Sequence, residues 1–153
     1  MGSFNSSKKM FEDILEIYRE LKNGPTLEYA DSLFYYAAML CSNDEHGEAV
    51  TLLEQAVSIY RRINGEDNLA TTVCVFLLGS AYFNSESDFL DESVKILDEC
   101  LISFRKLLGL TALESDKSIV EPPVIGDVLN MLGSANHVKN IKPITIKFLF
   151  LIK

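Results

Sequence analysis

The sequence predicts an all-α fold, a helical solenoid of about six helices, and three observations carry that expectation. Tyr18-Arg19-x-Leu21 returns as Tyr60-Arg61-x-Ile63 and again as Phe104-Arg105-x-Leu107, at offsets of 42 and 44 residues. A second element lies between these copies. Tyr36-Ala37-x-x-Leu40 comes back 42 residues later as Leu78-Gly79-x-x-Tyr82, and Leu78-Gly79-Ser80-Ala81 recurs after 54 residues as Leu132-Gly133-Ser134-Ala135. The apolar residues around both elements follow helical spacing. Two helix types alternating at such a period describe stacked hairpins, each burying its apolar face on the next. The architecture carries no chemistry of its own.

Each element follows in order. Residues 1–9 are polar and read as a flexible N-terminal tail. Met10, Ile14, Leu15, Ile17, Tyr18 and Leu21 then share a helical face, and Asn23-Gly24-Pro25 stops that helix with a glycine cap followed by proline. A second helix runs from about Leu27 to Cys41, and Ser42-Asn43-Asp44-Glu45 is a turn. A third spans about Gly47 to Ile63 and closes at Asn64-Gly65. The cycle repeats with a helix from about Leu69 to Phe83, a turn over 84–88, and a helix from about Phe89 to Leu108 that ends at Gly109. Asp88 and Asp91 near the start of the last of these suit the positive end of its dipole. Residues 110–123 are irregular, stop at Glu121-Pro122-Pro123, and account for the longer 54-residue offset. A last periodic helix covers about Val124 to Val138. The expected organisation is a tail at 1–9, a repeat domain at 10–138 and a basic, apolar tail at 139–153.

The 153 residues hold one compact domain or three to four helical repeats, and a hydrophobic content of 48% excludes general disorder. The net charge of −8 is unevenly spread. Residues 139–153 hold Lys139, Lys142, Lys147 and Lys153 and no acid, which leaves 10 basic and 22 acidic residues, a net of −12, in the rest. An acidic body argues against nucleic acid, whose phosphates require clustered Lys and Arg. It suits a solvated surface, or attraction to basic peptide segments. Ile144 to Ile152 is β-branched and aromatic; alone it looks like a strand or an aggregation-prone run, and it is too short to cross a bilayer as a helix. Two readings of it stand: a tail that covers the open end of the last helix pair, or a truncated or alternatively spliced product. Either leaves it a surface for self-association.

Cys41, Cys74 and Cys100 are odd in number and far apart, with no C-x-x-C. That argues against a disulfide framework or a zinc site. Each falls in a helical apolar pattern, so the expectation is a reduced, buried thiol in a cytoplasmic protein. No secretory signal or membrane-spanning run is visible. His46 and His137 are the only histidines, and no nucleophile elbow, phosphate-cradling glycine loop or His-Glu helix motif occurs. No catalytic residue, metal or cofactor is therefore expected.

At these residues the chain resembles the tetratricopeptide repeat family. The family's Leu-Gly-x-x-Tyr appears as Leu78-Gly79-Ser80-Ala81-Tyr82. The small residues seven apart in its second helix appear as Ala49 and Ala56, then as Ser93 and Cys100. They are small because the helices of a unit cross closely there. The period near 42 resembles the kinesin-light-chain-type branch, since the usual family period is about 34 residues. The departures are the absent early Trp, with Leu33, Val75 and Leu129 in its place, Asn136 where a Tyr is expected, and Gly65 and Gly109 where a proline often ends a unit. The resemblance covers about residues 8–138. It implies a TPR-like helical-hairpin solenoid, a right-handed superhelix, with a leading second helix, two full pairs and a lone first helix.

It also implies a protein–protein interaction module or adaptor that binds a peptide segment of a partner in a concave groove, lined mainly by the first helix of each unit. Carried over by register, the groove residues are Asp31, Phe34, Ala38 and Cys41, then Val73, Phe76, Ser80, Phe83 and Asn84, then Asp127, Asn130, Ser134 and His137. Each set follows one stripe of its helix. The opposite stripes (Leu33, Tyr36, Ala37, Leu40; Val75, Leu78, Gly79, Tyr82) are expected inside the unit. The aromatic rings offer an apolar anchor site, and the Asp and Asn side chains suit flanking Lys or Arg. The alternative is a regulatory segment controlling a partner enzyme or motor, tethered to a membrane through Gly2. Met1-Gly2-Ser3-Phe4-Asn5-Ser6 matches the N-myristoylation pattern, with Lys8 and Lys9 as a thin second signal.

Overall fold

The computed structural model describes residues 2–21, 24–85, 89–109 and 123–139. Six helices follow one another: α1 (Gly2–Glu20), α2 (Leu27–Cys41), α3 (His46–Asn64), α4 (Leu69–Asn84), α5 (Leu90–Leu107) and α6 (Pro123–Lys139). No strand occurs among the described residues. The expected irregular link, from 110 to 122, and the expected tail, from residue 140 onward, lie outside them.

Local chemistry sets the helix ends. Thr26 caps α2, its hydroxyl accepting from the Tyr29 N–H at 3.3 Å. Asn68 caps α4, its side-chain oxygen accepting from the Ala70 N–H at 2.8 Å. At the close of α3, Gly65 takes φ 81°, a left-handed conformation costly to other residues, and its N–H donates to the Arg61 carbonyl.

The first helix departs from expectation. Residues 2–9, read as a flexible tail, are helical from Gly2 onward. Phe4 packs against the core, and Phe11 stacks on Tyr36 with ring centroids 5.3 Å apart. The Lys8 ammonium donates to Glu45 at 2.8 Å and to Glu48 at 2.6 Å. Those partners lie some 40 residues away in sequence, so local periodicity does not reveal them.

Packing follows the two-helix repeat. α2 pairs with α3 and α4 with α5; α3 and α5 in turn pack on α4 and α6, and α1 packs on α2. The all-α hairpin solenoid is thus what the chain forms. The expected small positions are where the helices of a pair meet. Ala49, Ala56, Ser93 and Cys100 are fully buried. Ser93 Oγ donates to the Gly79 carbonyl at 2.9 Å, and Cys100 Sγ to the Thr72 carbonyl at 3.6 Å. A Cβ on Gly79 would lie 2.8 Å from Leu97 Cγ and Cδ2, so a side chain there would force α4 and α5 apart. α2 also touches α4, and α4 touches α6, whereas α1, α3 and α5 do not approach one another along the backbone. The α2/α4/α6 row is therefore the tighter side of the stack.

Candidate functional site

The residues expected to line a groove sit on the tighter row, and their surroundings differ. Phe34, Phe76 and Phe83 are half-buried. Phe34 and Phe76 pack against the core without being fully covered by it. Phe34 meets Tyr35 edge-on at 5.4 Å between centroids. Ala38, Cys41 and Ser80 are also half-buried, and Val73, Asn84, Asp127, Asn130 and Ser134 are exposed. His137 belongs to α6, but its side chain lies outside the described residues. Gly2 opens α1.

Several of these groups are already engaged. Asp31 is exposed, but Oδ1 accepts the Tyr60 hydroxyl of α3. Burial first, and then that carboxylate, raise the Tyr60 pKa, so the phenol stays a donor. Asn84 Nδ2 donates to the Ser80 carbonyl at 2.9 Å, and Ser134 Oγ to the Asn130 carbonyl at 2.9 Å. The Asn130 side chain and the Asp127 carboxylate make no hydrogen bond among the described residues.

The opposite face of α4 carries an arrangement that the repeat pattern did not announce. A hollow of about 610 Å³ opens there, with Val57, Leu78 and Ile96 as apolar wall and Glu54, Arg61 and Tyr82 at its polar rim. Tyr82 donates to Glu54 at 2.5 Å, and burial raises its pKa. Arg61 pairs with Glu99 across α3 and α5, while its Nε is buried without a partner. Arg62 Nη2 donates to the Pro25 carbonyl at 3.0 Å. None of the thirteen expected groove residues lines this hollow; the recurring arginine after Tyr60 and Phe104 was its one trace in the sequence.

The thiols belong to packing. Burial pushes Cys74 and Cys100 up to about 12, and also raises half-buried Cys41, so none favours the reactive thiolate at neutral pH. Among the described residues no group of three or more His, Cys, Asp or Glu is placed to hold a metal ion. No helix there is long and apolar enough to cross a membrane.

Residues 37–70 match the Tetratricopeptide repeat family. The matched stretch takes in the end of α2 from Ala37, all of α3 and the first two residues of α4. No curated protein matches the chain. The chain is therefore similar to that family over these residues, and the hairpin stack is a module suited to protein–protein contacts.

Proposed function

We propose that this protein is a cytoplasmic adaptor that binds an extended segment of a partner along the α2/α4/α6 row. The observation that carries the reading is the state of Phe34, Phe76 and Phe83. A core ring would be covered, but these three residues, carried by helices of the row that draws together, are only half-buried. An apolar side chain of the ligand seats against them, and burying an aromatic anchor is what supplies most of a peptide's affinity. Asn84 and Asn130 supply amide groups for the ligand backbone. The acidic body, net −12 outside residues 139–153, favours Lys or Arg beside the anchor. The 42-residue spacing supports placing the repeats in the kinesin-light-chain-type branch.

The test is a panel of labelled peptides carrying one aromatic or aliphatic anchor with basic, neutral or acidic flanks. Basic-flanked peptides bind best, and Phe76→Ala with Asn130→Ala weakens them by about thirtyfold or more, the effect of losing one hot spot. The helical circular dichroism stays unchanged. Equal binding by the double variant, or a preference for acidic flanks, would refute the proposed groove.

A further inference from the structure

The two ends of the stack are complementary. α1 occupies the register of α3 and α5, the second helices of their pairs, but no first helix of the described residues packs on it as α2 packs on α3. α6 occupies the register of α2 and α4, the first helices, but no second helix of the described residues covers it. We propose that a second copy of this chain completes both ends: α6 of one copy seats on α1 of the next as α2 seats on α3.

Repeat equivalence makes the match residue by residue. On α3, Leu52 and Ile59 are 8% and 7% exposed. Their equivalents 42 residues earlier are Met10 and Ile17, and these stand 62% and 57% exposed on α1. Large apolar residues left open at positions that another copy of the repeat buries mark a missing neighbour. On α6 the corresponding vacancy is at Gly133. Its equivalent Gly79 is filled by Leu97 of α5, whereas a Cβ on Gly133 would meet nothing within 4 Å.

A polar pair fixes the register. In the first full hairpin, Asp31 of α2 accepts the Tyr60 hydroxyl of α3. In the second, the same two positions hold Val73 and Phe104, so the acid and the hydroxyl disappear together. At the open ends both return: Asp127 stands at the Asp31 position on α6, and Tyr18 stands at the Tyr60 position on α1. Asp127 is exposed, Tyr18 is half-buried with its ring beside Tyr29, and neither makes a hydrogen bond among the described residues. Each is half of a bond that the chain already makes once internally. Because the two surfaces differ, the contact is heterologous and adds copies head to tail rather than closing a two-fold dimer. It uses the ends of the stack and stands independently of any peptide bound along its tighter row.

Sedimentation velocity of the full chain tests this, from about 1 µM to about 1 mM. The mean mass climbs with concentration past that of two chains. Met10→Asp with Ile17→Asp blocks the α1 end, and Gly133→Arg blocks the α6 end; circular dichroism checks that each variant stays helical. Each alone sediments as one chain. An equimolar mixture gives a two-chain species and nothing larger, because one live α6 meets one live α1. Asp127→Ala weakens the wild-type association about threefold to tenfold, the effect of one hydrogen bond. A chain that stays single throughout, a mixture that stays single, or an unchanged Asp127→Ala affinity overturns the pairing. Association that survives both end-blocking variants also overturns it and assigns the contact to residues 140–153.

Discussion

Gly79 and Gly133 occupy the same register position, yet the same substitution should act on them with opposite sign. In a helix interior, Gly→Ala gains about 1 kcal/mol from reduced backbone freedom in the unfolded chain and better helix propensity. At Gly133 nothing opposes the gain, because the new methyl meets open space. At Gly79 the methyl would lie 2.8 Å from both Leu97 Cγ and Cδ2, and 3.3 Å from Ile96 Cγ2. The Cγ contact decides the outcome. It is a branch point rather than a free tip, and Leu97 is fully buried, so it retreats only by moving α5. Overpacking of this kind costs about 1–3 kcal/mol, so Gly79→Ala nets a loss of about 1 kcal/mol. The two sites then differ by about 2 kcal/mol in urea unfolding followed by circular dichroism, at a concentration where the chain is single. Removing the obstacle restores the sign: in a Leu97→Ala background, itself about 2–5 kcal/mol less stable, Gly79→Ala becomes stabilising by about 1 kcal/mol. A wild-type background in which Gly79→Ala stabilises as much as Gly133→Ala would refute the close crossing of α4 and α5.

Two further outcomes follow from the electrostatics and the thiols. Lys8 is held above its ordinary value of 10.5 by Glu45 and Glu48, and Glu45 is held below its ordinary 4.5 chiefly by Lys8. The lysine's contribution is complete below 10.5 and lost as pH rises through its higher folded value; the carboxylate's is complete above 4.5 and lost as pH falls through its lower folded value. α1 is therefore docked most firmly between these limits, and a Phe4→Trp reporter, in a chain without tryptophan, should show it loosening on the acid side before α3 unfolds. An acid titration in which reporter and global helicity move together would count against this. Ellman's reagent should modify half-buried Cys41 first, with Cys74 and Cys100 reacting only at the rate of local unfolding; three equal fast phases would contradict their burial.

How much was legible depends on how local the cause is. The bounds of α2, the glycine stop at Gly65 and the small residues at Ala49, Ala56, Ser93 and Cys100 are set by caps and by the partner one helix away, and all could be read from spacing. The first eight residues of α1 could not. Ser3 to Lys9 lacks apolar periodicity apart from Phe4, and the Lys8 partners belong to the start of α3. The hollow beside Arg61 was hidden for the same reason, since Tyr82 finds Glu54 and Arg61 finds Glu99 across turns of the solenoid. Asp31 shows a subtler limit. The register places it on an expected groove stripe, but its carboxylate already holds Tyr60, a partner that the spacing does not reveal.

A repeat fold tests each register position three times, so the differences between copies carry more meaning than the shared pattern. Along the proposed groove stripe, Phe34 and Phe76 give way to Asn130, while the position three residues earlier reads Asp31, Val73 and Asp127. The shared interior positions keep their character, with Leu33, Val75 and Leu129 all apolar. Packing therefore holds constant while the ring position changes from Phe at α2 and α4 to Asn at α6. On the proposed reading, a ligand enters in one orientation, its anchor over Phe34 and Phe76 and its hydrogen-bonding backbone toward Asn130. The same comparison separates the two surfaces at α6: Asn130 belongs to the stripe where α2 and α4 carry rings, while Asp127 repeats a position that α2 spends on binding the next helix. On the two proposals, Asn130 would serve the ligand and Asp127 the neighbouring copy, from positions three residues apart on α6.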